Sequence, residues 1–335
     1  IITAISIAVS LICLVFQKPL LRLIFGSVEA EVMRASETYF FYTALSFPFI
    51  AAYDSAASIF RAQDNTKGPM LISMISNVIN IAGNAVMIWG FHMGVAGAAL
   101  STLISRIFCA VVVLIQLRKD RQEIVVRDYI RIRPNWSMIK RILGIGIPSG
   151  VENSMFQLGK LAIQSTVSTL GTAAIAAQAM TNILENLNGI AAIGVGVGLM
   201  TIVGQCLGAG RQDEAVYYIK KLCVIAEVII IISCLGVFAL TKPITILGGM
   251  EKVSADMCFH MVMWITIVKP IAWTMAFIPG YGLRAAGDVK FSMITSCCTM
   301  WACRFCLCVF LIRKLGFGPM GVWIGMFADW TVRSI

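Results

Sequence analysis

Chemistry in this chain is concentrated in a few charged and amide side chains that lie inside apolar stretches. Glu152 follows Pro148 by four residues and opens the run Glu152-Asn153-Ser154-x-x-Gln157-x-x-Lys160. The next apolar stretch carries Asn182, Glu185, Asn186 and Asn188; Asp54 stands beside Tyr53 in an earlier one, and Lys269 immediately precedes Pro270. A charge in hydrocarbon costs about 2.5 kcal/mol or more, so each such group needs a partner or a task. A carboxylate among amide oxygens suits Na+ coordination, and one shielded from water suits proton exchange. Helical spacing places Glu152, Gln157 and Lys160 close enough to share a face, and does roughly the same for Asn182, Glu185, Asn186 and Asn188. Glu152, Glu185 and Asp54 are therefore the candidates for binding Na+ or H+. Asn153, Gln157, Lys160, Asn182, Asn186, Tyr53 and Trp273 are the candidates for lining a polar cavity. The alternative for the two glutamates is an internal Glu–Lys or Glu–Asn pair; Lys269 is expected to meet a freed helix carbonyl or one of the acids.

These groups are held in an unusually apolar chain. Of 335 residues 59% are hydrophobic and 13% charged, about half the charge of an average soluble domain. Ten apolar stretches are present, beginning with Ile1–Phe16, Thr38–Phe60, Met70–Trp89 and Val95–Leu117. Ile142–Leu170, Ala173–Cys206, Ala215–Leu240, Ala255–Leu283, Phe291–Ile312 and Pro319–Ile335 follow. Most are close to the length that crosses hydrocarbon as helix. The expectation is an all-α polytopic membrane protein.

The chain also repeats itself. Arg61/Arg284, Ala62/Ala285, Lys67/Lys290 and Met70/Met293 share an offset of 223 residues, and Gly94-x-x-Gly97 matches Gly318-x-x-Gly321 at 224. Duplicated helical bundles are a common way of building transporters. The expected layout is an N-terminal lobe, 1–117, a basic connector, 118–140, and a C-terminal lobe, 141–335. The offset implies that roughly 80 residues precede Ile1 in an intact protein of two six-helix lobes, and that the last helix is cut short. An even number of helices per lobe gives both lobes one orientation, with a pseudo-two-fold axis along the membrane normal.

Residues 117–141 carry eight basic and three acidic side chains between two apolar stretches. That placement fits a cytoplasmic loop against anionic lipid rather than a nucleic-acid site. Loops 61–69, 117–141, 206–221 and 284–290 hold 15 Lys and Arg against 7 in the intervening set, so the first set is expected to be cytoplasmic. Eleven cysteines lie mostly inside apolar runs; Cys303-x-x-Cys306 has ligand spacing but no second pair, so no metal site is expected.

Four loop motifs complete the reading. Arg61-Ala-Gln-Asp-Asn-Thr-Lys67 follows a stretch containing Pro48, and Leu283-Arg-Ala-Ala-Gly-Asp288 follows Pro270 and Pro279. Gly146-Ile-Pro148-Ser-Gly150 opens one span, and Gly204-Gln205-Cys-Leu-Gly208-Ala-Gly-Arg211 closes another. In this order they resemble multidrug and toxic compound extrusion (MATE) transporters over the whole chain, from the third family helix to the twelfth. The resemblance implies a secondary antiporter exporting small organic, often cationic, compounds in exchange for Na+ or H+. Two lobes would rock around a central cavity, in a monomer in the cell membrane, with no other cofactor and no nucleic-acid partner. Arg61, Arg284, Pro148, Gly204, Gln205 and Gly208 would be structural. The alternative is a lipid-linked oligosaccharide flippase of the same superfamily. A membrane enzyme lacks support, because His92 and His260 are the only histidines and lie far apart.

Overall fold

The computed structural model describes residues 2–25, 30–63, 65–118 and 135–335; most of the basic connector, 119–134, lies outside them. The chain divides into two compact units, Ile1–Asn135 and Trp136–Ile335. Every described element is a helix. Backbone polar groups in hydrocarbon must find partners within their own segment, and the helix achieves this for each span separately.

The N-terminal unit consists of α1 (Ile2–Val15), α2 (Gln17–Phe25), α3 (Ala30–Ala62), α4 (Lys67–Ala85) and α5 (Gly94–Leu117). A π-helical turn, Val86–Gly90, extends α4. Ala56, Phe60, Ile72, Cys109, Val113 and Leu117 form its apolar core. Serines fasten the helices together, as expected where hydrophobic driving force between spans is weak. Ser10 Oγ donates to the Ala44 carbonyl at 2.7 Å, and Ser76 Oγ donates to that of Ser105 at 2.9 Å. Arg106 donates to the Ser46 hydroxyl. The segment 17–37, read as a loop, instead holds α2 and the first two turns of α3. Its Glu31, Arg34 and Glu37 are spaced for one polar helix face, which hydropathy alone does not reveal.

The C-terminal unit contains α6 (Trp136–Val167), α7 (Thr172–Gly208), α8 (Gln212–Leu247), α9 (Lys252–Ala286), α10 (Val289–Thr299), α11 (Leu307–Arg313) and α12 (Met320–Ser334). A π-helical segment, Met300–Cys306, joins α10 to α11, so the stretch expected as one span is a helix with a widened middle. Helices α7, α8 and α9 enclose a core of Leu184, Leu199, Ile230, Met261, Ile265 and Trp323. Among the described residues, six helices are both long and apolar enough to cross a membrane: Lys67–Gly90, Gly94–Leu117, Thr172–Gly208, Gln212–Leu247, Lys252–Ala286 and Val289–Arg313. Prolines sit inside α3, α6, α8 and α9, which a packed membrane bundle tolerates because neighbours satisfy the freed carbonyls. The repeat is visible in the elements: α3 shifted by 223 residues would run from 253 to 285, within one residue of α9 at each end.

Glycines 194, 196 and 198 of α7 play unequal parts. A Cβ on Gly196 would lie 2.6 Å from the Tyr281 ring, whereas one on Gly194 or Gly198 would meet nothing within 4 Å. Close packing therefore explains Gly196 alone. Gly196→Ala is expected to cost about 1–3 kcal/mol through a displaced aromatic ring. Gly194→Ala and Gly198→Ala are expected to be neutral or stabilising by up to about 1 kcal/mol through helix propensity. Thermal unfolding of the three variants in one detergent checks the ranking, and equal losses would remove the packing argument.

Candidate functional site

The expected polar face of α7 is present in part: Asn182, Glu185 and Asn186 line one cavity, joined by Gln178, while Asn188 is buried outside the lining. Gln178, Asn182, Glu185 and Asn186 recur at spacings of four, three and one, and all four line a cavity of about 490 Å³ in the C-terminal unit. Helix α6 contributes Gln157, Lys160 and Gln164, at spacings of three and four, to the opposite wall. Leu161, Ile163, Arg304, Val322 and Met326 complete the lining. An adjoining recess of about 190 Å³ shares Lys160, Glu185, Asn186 and Arg304 and adds Trp273, Phe277 and Tyr281. The structure thus brings Gln157, Lys160, Asn182, Glu185, Asn186 and Trp273 together.

Glu185 is tied across the bundle. Lys269 Nζ, on α9, lies 2.7 Å from Glu185 Oε1 and also donates to the Glu185 backbone carbonyl at 3.0 Å. The Lys269 side chain is fully buried and its ammonium stands 5.3 Å from the centre of the Trp273 ring. Of the two expected partners Lys269 thus takes an acid; the carbonyl it also binds belongs to that same residue of α7 and is not one freed by Pro270. Gln178 is fixed from the other side, accepting a hydrogen bond from the Trp323 indole at 3.0 Å.

Glu152 does not share this cavity. Its side chain is 9% exposed and Oε1 accepts a bond from Arg284 Nη2 at 2.9 Å. The face expected for Glu152, Gln157 and Lys160 splits because five residues of α-helix turn the chain through about 140° beyond a full turn. Two atoms at this pair are buried without a hydrogen-bond partner, Glu152 Oε2 and Arg284 Nε. Asn153 is exposed on α6 outside the cavity, and its amide donates to the Ser149 carbonyl at 2.9 Å.

Tyr53 and Asp54 belong to the N-terminal unit, on α3. The Tyr53 hydroxyl donates to the Pro69 carbonyl at 3.0 Å, and Asp54 is exposed on its own unit. Arg61 ends α3 and donates to Ser58 Oγ at 3.1 Å, so the two repeat-related arginines have different partners. Gly204 and Gly208 are ordinary helical residues, and Gln205 supplies the carbonyl that the Ala209 N–H caps. The positive φ of that corner, 76°, falls on Gly210.

Sequence reasoning missed one network. On α12, Asp329 and Arg333 pair at 2.8 Å, and Arg333 further donates to Thr299 Oγ1 at 2.9 Å and Ser296 Oγ at 3.0 Å on α10. The signal available was an Asp–Arg pair four residues apart in an apolar helix. Arg304 lies on the π-helical segment and reaches the cavity from there.

The buried Lys269–Glu185 pair predicts a stability pattern. Lys269→Met and Glu185→Gln each leave an unmatched polar group and should each cost about 3–5 kcal/mol, while the double variant recovers much of that loss. Apparent melting temperatures of the four proteins in detergent test this, and additive losses would show the pair to be uncoupled.

Comparison with known proteins agrees with the fold. The MatE family model matches residues 148–310, and that of the lipid II flippase MurJ matches residues 1–135. A probable multidrug resistance protein NorM of Thermotoga maritima is 25% identical over 318 residues, covering 93% of this chain and 67% of the relative. An uncharacterized transporter, YisQ of Bacillus subtilis, is 27% identical, covering 99% of this chain and 73% of the relative. The outward-facing structure of a multidrug resistance MATE family transporter of the MOP superfamily superposes with a TM-score of 0.88 at 16% identity, over 99% of this chain and 75% of that one. The four motifs, the duplicated all-helical spans and these matches converge: the chain is a polytopic membrane protein similar to multidrug and toxic compound extrusion (MATE) transporters, and the MatE family model covers its residues 148–310.

Proposed function

We propose that the protein is a secondary antiporter of the cell membrane that exports small organic compounds, in exchange for Na+ or H+, by alternating access of its two lobes. The observation that carries this reading is the cavity of the C-terminal unit: amides, a lysine, an arginine and a glutamate gathered inside apolar spans, where polar groups mark substrate and ion paths. The names of the relatives, several of them multidrug resistance proteins, point the same way. Loops 61–69, 117–141, 206–221 and 284–290 would face the cytoplasm, and the protein would act as a monomer with lipid as its only standing partner.

Glu152 is the acid best placed to bind the coupling ion. One carboxylate oxygen holds Arg284 and the other is buried without a partner. Na+ or H+ arriving at that oxygen competes with the guanidinium for the carboxylate. Arg284 stands at the end of α9, beyond Pro270 and Pro279, so occupancy of Glu152 biases how that helix end is held. A ligand shifts such an equilibrium only through its different affinity for the two states, and release of Arg284 supplies that difference. Glu185, already matched to Lys269, would serve the cavity wall, and Asp54 would be the counterpart acid of the N-terminal lobe.

The test is efflux of a fluorescent organic compound from proteoliposomes under an imposed Na+ gradient and, separately, a proton gradient. Export should follow one of the gradients, and Glu152→Gln should lower it about tenfold or more, a change of about 1.4 kcal/mol. Gradient-driven export that survives Glu152→Gln would move the coupling acid elsewhere. Absence of export under both gradients would overturn the antiport reading, and a labelled lipid-linked sugar would then be tried.

A further inference from the structure

We propose that the C-terminal cavity receives the oxyanion of an amphipathic compound, a carboxylate, sulfonate or phosphate, between Arg304 and Lys160. The inference rests on reading this cavity as the substrate site. It starts from a charge surplus. Glu185 is the carboxylate on the cavity wall, and Lys269 already matches it at 2.7 Å. Asp329, behind the wall, is matched by Arg333 at 2.8 Å. Among the described residues Lys160 and Arg304 have no carboxylate within salt-bridge distance and no hydrogen-bonding partner. Two unmatched cations therefore share one cavity.

Arg304 is the stronger of the two arguments. It is 8% exposed, and its Nε is buried with no partner. Leaving an ionised guanidinium unmatched in a low-dielectric setting is costly, so a site that keeps one has a use for it. It sits on the π-helical segment Met300–Cys306, a distortion that recurs at functional sites because it redirects side chains. Gly325 of α12 accommodates that segment: a Cβ there would lie 2.9 Å from the Arg304 carbonyl oxygen. The ring of Phe156 lies near both cations, at 5.0 Å from Arg304 and 5.3 Å from Lys160, and such contact is worth far less than an ion pair. Glu185, and for Arg304 also Asp329, act on them only from beyond ion-pair distance.

The ligand chemistry follows from the donors. A guanidinium fork matches two oxygens of one planar or tetrahedral oxyanion, and an ammonium adds a point charge on the same group. Gln157 and Asn182 flank the site with amides, while Leu161, Val322 and Met326 provide an apolar surface for the rest of the molecule. About 490 Å³ falls in the range of sites for drug-sized compounds. A simple organic cation would face two like charges there.

Equilibrium binding to the purified full chain in detergent micelles tests this with two dyes on one ring system: carboxyfluorescein, an anion, and a rhodamine ester, a cation. The anion should bind about tenfold or more tighter than the cation, and Lys160→Gln and Arg304→Gln should each weaken it about tenfold. Arg304→Lys should restore part of the loss, and Lys220→Gln on the exposed surface of α8 should leave the anion's affinity unchanged. Tighter binding of the cation, or anion binding indifferent to both cavity substitutions, overturns the proposal. Competition on the unaltered protein needs no variant to fold. Displacement by octanoate supports a free organic anion as the source of the group, displacement by short-chain phosphatidylglycerol supports a lipid headgroup, and displacement by neither overturns the site. Oxyanion binding without gradient-driven export would sink the antiport reading alone; gradient-driven export without oxyanion binding would sink this inference alone.

Discussion

Hydrocarbon offers a charged side chain no water, so the charges inside the C-terminal unit must be settled among themselves. Three pairs do this, with the two cations of the cavity, Lys160 and Arg304, left outside them: Lys269 with Glu185, Arg284 with Glu152 and Arg333 with Asp329. The first joins α9 to α7, the second joins α9 to α6, and the third anchors α12, through the serine and threonine bonded to Arg333, to α10. Apolar packing between spans is nearly as good with lipid as with a neighbouring helix, so it fixes relative placement weakly. A buried ion pair behaves differently, because separating it strands a charge. These contacts therefore specify which helix faces lie together more than they add to stability. The cavity is what remains between the faces so fixed.

The spans were legible because their apolar lengths match the membrane, and the cavity walls were legible because polar residues inside such spans recur at helical intervals. Gln157 and Lys160 on α6, with Asn182, Glu185 and Asn186 on α7, needed no more than that periodicity. Glu152 shows where the argument stops. A face drawn on a helical wheel spans a wide arc, and the long guanidinium of Arg284, 132 residues away in sequence, captured the acid at one edge of it. Spacing also gave no warning of the π-helical segment, since one widened turn leaves the apolar run intact while rotating everything after it. Arg304 was unplaceable for that reason.

The duplication sharpens the contrast between the halves. Helices α3 and α9 have corresponding bounds, contain prolines and end in corresponding arginines. Yet among the described residues Arg61 hydrogen-bonds a serine hydroxyl, whereas Arg284 holds a buried carboxylate. At the same offset of 223, Lys269 corresponds to Ser46 and Arg304 to Ile81. The N-terminal copy answers with hydroxyl–carbonyl bonds such as those of Ser10 and Ser76, which cost little to break and carry no net charge. Among the described residues, the two copies thus share a backbone plan at α3 and α9 while the ion pairs at these positions differ.

Helix α9 is where these strands of argument meet. It carries both Lys269, fixed to the wall of the cavity, and Arg284, fixed to the acid proposed for coupling, with Pro270 and Pro279 between them. Each proline removes one backbone hydrogen bond from the stretch linking the two pairs and lowers the cost of bending there. Tyr281 reinforces the connection: its ring presses on Gly196 of α7, lines the recess beside the cavity and lies 5.6 Å from the Arg284 guanidinium. A change of partner at Arg284 would therefore reach a side chain that lines the recess beside the cavity, through contacts within a single unit. On the roles proposed for Glu152 and the cavity, coupling between ion and substrate would need no long relay, only one jointed helix with a different ion pair on either side of its prolines.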